Sequence, residues 1–356
     1  MSGKLFAAIA ALGLLSACSG QAESHKSTAP RASLTGAGAT FPAPLYAKWT
    51  DAYRADADVA VKYKPVGSGE GIKQIEAGAV DFGASDKPLM PEELDKNGLY
   101  QFPTVIGGVV PVVNLPGIQP GQIKLTGALL GDIYLGKVTN WNAPEIAALN
   151  PGLTLPSLPI TPVHRSDSSG TSFLFTSFLA MKNPAWKAKV GAGDSVTWPT
   201  STGGEGNEGV ASFVQLAHGS IGYVEYAFAR QTKATYILVQ NSAGAWPAPS
   251  AKAFAAAALG ANWATAPGNY LLLLDQPGEP AWPLTGATFI LLHKNQGVAA
   301  KRAAVLQFFD WAYRNGDVAA GHLDYVPLPA SIKERMRQQW TSTITANGKP
   351  VYTTKP

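Results

Sequence analysis

Cysteine is nearly absent from this chain: one occurs in 356 residues, Cys18. No disulfide can form within the chain, so its stability must come from a buried core. Charge is also sparse. Only 15% of residues are Asp, Glu, Lys or Arg, and the net charge is +4. No Lys/Arg block concentrates that charge, which gives nucleic-acid binding no support. Beyond the first 17 residues no apolar run is long enough to span a bilayer; Tyr270 to Leu274 is strand-sized. The five histidines show no metal-ligand spacing, which argues against a metal site. Apolar residues, by contrast, make up 46% of the chain, with 37 glycines and 27 prolines. That composition describes a globular protein with many turns, long enough for two domains.

Residues 1–17 carry Lys4, an apolar run from Leu5 to Leu15, and then Ser16-Ala17. A charged start, a short apolar segment and small residues describe an export signal. Leu15-Ser16-Ala17-Cys18 resembles the bacterial lipobox. The resemblance implies cleavage before Cys18 and lipid on its sulfur. The alternative is a plain signal peptide with an incidental cysteine. Cleavage removes Lys4 and lowers the net charge to about +3. Residues 19–32 are polar and aperiodic, as expected of a tether of roughly 45–50 Å when extended.

Strand and helix signals alternate along the rest. Val59, Val61 and Tyr63 alternate as a strand does, and Ile72, Ile75 and Ala79 follow at helical spacing. Val80 to Ala84 reads as a short strand. Val105 to Val113 reads as a β-rich run interrupted by Gly107-Gly108. Phe289 to Leu292 is strand-like and Val305 to Tyr313 helical. The pattern predicts an α/β fold.

The candidate site residues sit at strand-to-helix turns, where ligands bind in open α/β sheets. HRSDSSGTSF (164–173) sets Arg165 and a Ser169-Gly170-Thr171 step before a helix with Leu174/Phe178 and Phe175/Leu179 spaced i, i+4. A helix start exposes N–H groups and partial positive charge, and arginine adds a cationic fork, so an oxyanion suits the stretch. Taken alone, such a step is more often a plain N-cap. Thr40 and Phe41 follow a Gly-rich loop at a second helix start, with Pro42 fitting the first helical turn. Ser68, in GSGEGIKQI, reads as the cap of a third. Asp86 ends GASD. A carboxylate beside an anion is sensible only if the ligand carries a proton, as phosphate does and sulfate does not. A solvated turn aspartate is the alternative. Asp167 either clamps Arg165 or serves the turn, and His164 is structural or exposed.

SLTGAGATFPAPLYAKW, VDFGASD, QFPTVIGGVV, GDIYLGK, RSDSSGTSF, SIGYVEYAF and AWPLTGATFIL together resemble the bacterial periplasmic phosphate-binding protein (PstS) family, from about Ser33 to the C-terminus. The resemblance implies a two-lobed type II periplasmic-binding fold with a ligand cleft and hinge between the lobes. Residues 33–104 and 284–356 would form one lobe and 105–283 the other, after a signal peptide at 1–17 and a tether at 18–32. It implies inorganic phosphate held by Thr40, the Phe41 backbone N–H, Ser68, Asp86, Arg165, Ser169, Gly170 and Thr171, with Asp167 paired to the arginine. The expected protein is a non-catalytic monomeric receptor without cofactor or metal, anchored by lipid on Cys18 outside the cytoplasmic membrane. It would serve the membrane permease of an ABC importer. Three positions depart from the family pattern: Glu70 and Lys87, where small residues are usual, and His164, where a stronger base is usual. Lys87 is read as an offset to Glu70.

Two rivals remain at this point. One is an exported phosphatase-like enzyme with Ser169 and His164 as nucleophile and base, although no serine or cysteine has an evident base, no dinuclear metal cluster appears, and helix capping suits Ser169 better. The other is a sulfate or molybdate receptor, with Asp86 as the discriminator.

Overall fold

The computed structural model describes residues 32–353. The export signal, Cys18 and the tether up to residue 31 lie outside them. The main elements, in chain order, are β1 (Ala32–Gly38), α1 (Ala43–Ala57), β2 (Val59–Pro65), α2 (Ser68–Glu76), β3 (Phe82–Ser85) and β4 (Leu99–Val113). Then come β5 (Thr161–Arg165), α3 (Gly170–Lys182), β6 (Thr202–Gly204), α4 (Gly206–Leu216), β7 (Ser220–Glu225), β8 (Thr285–His293) and α5 (Ala299–Asn315). The strands form one curled sheet in the order β2-β1-β3-β8-β4-β7-β5-β6. β1 pairs in parallel with β2 and β3, and β5 with β6 and β7. Parallel pairs need crossovers, and the intervening helices supply them.

The architecture is α/β with two lobes, and β4 passes through both. Its residues 99–108 run antiparallel to β8, and Val109–Val113 then pair with β7. All fifteen residues are buried. The two glycines read as an interruption lie inside the strand. At Gly108 a Cβ would lie 2.1 Å from the Phe254 ring, so the glycine admits an aromatic ring and does not break the pairing. Each lobe packs aromatics around its own part of the sheet. Tyr46, Phe82, Phe102 and Phe309 cluster in the first, while Phe175 stacks on Tyr223 at 4.2 Å beside Trp198 in the second.

Other details differ from the sequence reading. Val80 and Asp81 precede β3 without joining it, and α2 ends at Glu76, short of Ala79. Pro42 is the N-cap of α1, one position before the helix. Residues 270–274 form no regular strand; Leu274 makes one isolated bridge to Leu284. No described helix is long and apolar enough to cross a membrane.

Candidate functional site

The C-terminal ends of β1, β2, β3, β5 and β6 deliver the functional residues to one place between the lobes. β1 leads to Thr40 and Phe41, β2 to Ser68, and β3 to Asp86. β5 ends at Arg165 and leads to Ser169, Gly170 and Thr171. All eight are buried. The two walls touch. A Cβ on Gly170 would lie 2.5 Å from Ser68 Oγ and 2.6 Å from Asp86 Cβ. Gly69 N–H donates across the cleft to the Ser168 carbonyl at 3.0 Å. The cleft is closed.

Each hydroxyl has a defined task. Ser169 caps α3, its Oγ accepting from Ser172 N–H at 3.1 Å, as expected. Ser68 is not a cap. It is the first residue of α2, and its Oγ accepts from Asp86 N–H at 3.2 Å. Arg165 donates through Nε to Asp167 Oδ1 at 2.7 Å, pairs Nη2 with Asp167 Oδ2, and reaches Thr171 Oγ1 from Nη1 at 3.3 Å. Asp167 therefore clamps the guanidinium, and it also accepts from Gly206 N–H at 3.0 Å. Burial alone would raise its pKa, but the Arg165 bonds and charge and the Gly206 bond hold it below the usual carboxylate value.

Asp86 has the opposite balance. Burial pushes its pKa up to about 7, against the Thr288 hydroxyl bond at 2.6 Å and the Arg165 charge, which lower it. Its Oδ2 is buried and has no partner among the described residues. A carboxylate oxygen with nothing to accept is costly in a dry site.

Asn207, at the start of α4, went unread in the sequence. Its Nδ2 donates to Thr40 Oγ1 at 2.7 Å and lies 3.5 Å from Thr171 Oγ1, linking the two walls. The available signal was Gly203-Gly204-Glu205-Gly206 before a helix, a fourth loop of the kind that carries the other residues. Lys87 does not offset Glu70. It pairs with Asp194 across the cleft at 3.4 Å, and Glu70 accepts from Gln74 within α2. His164 stacks on Trp198 and its Nδ1 meets Ser201 Oγ at 2.6 Å. Burial lowers its pKa.

The neighbours of Gly170 include Ser68 and Asp86 from the facing wall. Gly170→Ala is expected to weaken ligand binding roughly 10- to 100-fold by overpacking the closed cleft. The melting temperature without ligand should hardly change. Calorimetric titration with thermal melts checks this, and native affinity in the variant would contradict it.

Fold and site together define a two-lobed solute-binding protein of the periplasmic-binding class. Residues 23–315 match the PBP superfamily domain. The phosphate-binding protein PstS of Xylella fastidiosa is 51% identical over 309 residues, covering 87% of this chain and 85% of its own. That of Haemophilus influenzae is 50% identical over 312 residues, covering 88% and 93%. The chain belongs to the PstS family of phosphate-binding proteins. Among solved structures, a phosphate-binding protein from Stenotrophomonas maltophilia shares the fold at TM-score 0.65 and 22% identity, over 89% of this chain and 96% of that one. A periplasmic phosphate-binding protein, PfluDING, bound with phosphate, does so at TM-score 0.69 and 22% identity, over 90% and 97%.

Proposed function

We propose that this chain is a phosphate receptor that captures inorganic phosphate outside the cytoplasmic membrane and hands it to the permease of an ABC importer. The observation that carries the reading is the buried, unpartnered Oδ2 of Asp86 among hydroxyls, helix N-termini and one arginine. An oxyanion that brings its own proton completes such a site. Thr40, Ser68, Ser169 and Thr171 offer hydroxyls, Phe41 and Gly170 offer backbone N–H groups, and Arg165 offers the charge, steadied by Asp167. Residues 33–104 and 284–356 act as one lobe and 105–283 as the other, turning about β4 and the segment before β8. Hinge closure around a ligand is the motion general to periplasmic binding proteins, and the contacts across this cleft fit it.

The receptor performs no chemistry on its ligand. In support, Ser169 Oγ is used in capping α3, and His164 is engaged with Ser201 and Trp198. Cleavage before Cys18 and lipid on its sulfur would tether a monomer to the membrane surface. The test is a tryptophan-fluorescence titration of the chain lacking residues 1–18, since Trp198 stacks beside the Arg165 strand. A saturable response to phosphate, with no hydrolysis of a chromogenic phosphate ester, is expected. A flat response would defeat the reading.

A further inference from the structure

Glu225 is the most deeply buried acid that the site description leaves unused. It ends β7 in the second lobe and is 0% exposed. Its backbone N–H donates to Asn207 Oδ1 at 2.9 Å, and Asn207 in turn donates to Thr40. Its Oε2 accepts from Ala227 N–H at 2.8 Å and lies 2.9 Å from the Tyr325 hydroxyl. That hydroxyl also lies 2.6 Å from the Phe41 carbonyl oxygen. One residue of the second lobe thus reaches both Thr40 and Phe41 in the first, each through one intermediary.

The hydrogens along this chain can be counted. Three oxygens stand in line: the Phe41 carbonyl, the Tyr325 hydroxyl and Glu225 Oε2. Two contacts need two hydrogens, and the tyrosine has one. The amide oxygen has none to give, so the shorter contact takes the tyrosine's hydrogen. The remaining contact is attractive only if Glu225 brings another. Glu225 Oε1 is buried with no partner among the described residues, and a Cβ on Gly107 would lie 3.2 Å from it. An ionised carboxylate there would keep the Ala227 N–H on Oε2 but leave Oε1 dry and without a donor.

We propose that Glu225, as a neutral acid, is a positioning residue for the Thr40–Phe41 half of the anion site, acting through Tyr325 on the Phe41 carbonyl. The proposal rests on the phosphate reading for its ligand but not for its protonation state. Burial raises the Glu225 pKa well above the usual range; the Tyr325 hydroxyl and the Ala227 and Tyr226 backbone N–H groups oppose this, and the Asp86 charge adds to it. Asp86 and Tyr325 are the titratable groups facing it. Ionisation would have two consequences. The tyrosine's hydrogen would turn toward Glu225 and release the Phe41 carbonyl. A second negative charge would also stand near a site built for an anion.

Two measurements decide this. In the infrared, the wild-type minus Glu225→Gln difference spectrum of the ligand-free protein at neutral pH should contain a deuterium-sensitive neutral-carboxyl C=O band. Carboxylate bands alone would overturn the proposal. In phosphate titrations, Tyr325→Phe and Glu225→Leu should each weaken binding roughly tenfold. The double variant should be no weaker than Tyr325→Phe, because one acts through the other. Glu225→Gln, neutral and still a donor toward Tyr325 but unable to accept from Ala227 N–H on the same atom, should bind more tightly than Glu225→Leu and less tightly than wild type. Additive losses, or native affinity in Tyr325→Phe, would overturn it. If the wild type binds no phosphate, the phosphate reading falls and the infrared result still decides the state of Glu225.

Discussion

At pH 8 the soluble chain should bind phosphate roughly 10⁴–10⁵-fold more tightly than sulfate, the discrimination available to a site that demands a donor from its ligand. The cause is Asp86. In a wet, open cleft it is an ordinary aspartate, ionised at this pH. Closure strips its water and leaves Oδ2 with nothing to accept, which is why burial drives the carboxyl to about 7. Protonated phosphate donates to that oxygen and removes the cost. Sulfate has no proton, so it must either leave the carboxylate unpaired or draw a proton from solvent. The second route sets a pH dependence. Because closure on sulfate takes up one proton, sulfate affinity should rise by up to roughly tenfold per unit as pH falls below about 7 toward the ordinary aspartate range. The gap to phosphate should narrow over the same range. Asp86→Asn, which offers an amide donor in place of a carboxylate, should raise sulfate affinity and lower phosphate affinity. Competition calorimetry at several pH values measures all of this. Equal affinities for the two anions at pH 8 would rule out Asp86 as the discriminator.

Arg165→Ala should be the most damaging single substitution for affinity, at about 3–5 kcal/mol, or roughly 10²–10³-fold or more. Two effects combine. The anion loses the cation assigned to it, and Asp167 loses the partner that holds its carboxylate ionised. A partly buried aspartate, left with the Gly206 N–H but no counter-charge, then stands beside the site. Arg165→Lys should recover little, because a point charge cannot fork toward Asp167 and the anion together. Arg165→Ala combined with Asp167→Asn should bind better than Arg165→Ala alone, since the second change removes the stranded charge. An unchanged phosphate curve in Arg165→Ala would mean that the anion is held elsewhere.

Much of the fold is legible in the sequence because its signals are local. Val59, Val61 and Tyr63 alternate and form a strand; Leu174 and Phe178 repeat at helical spacing and form a helix. Gly-rich turns before helices mark Thr40 and Ser68, and a Ser-Gly-Thr step marks Ser169, because a helix start must leave N–H groups free wherever it occurs. Legibility fails where a residue's role depends on a distant partner. Ser68 looks like a cap and instead receives the Asp86 N–H. Gly107-Gly108 looks like a break and instead admits aromatic rings into a continuous strand. Lys87 looks like company for Glu70, and its partner is Asp194, more than a hundred residues away.

The sequence by itself determined the class of fold, the helix starts and the family, and through the family the residues to examine. Only the tertiary structure decided which groups meet. Asn207 is marked only by the Gly-rich loop before it, and Glu225 carries no local mark, because an amide or a carboxyl acquires its meaning from its neighbours and its access to water. Asp86 illustrates the division most sharply. One strand ending in Gly-Ala-Ser-Asp supplies a carboxyl, but the apposition of Gly170, Ser68 and Thr288 makes it dry, half-partnered and in need of a proton. Desolvation is a property of the closed cleft, and no stretch of sequence contains it.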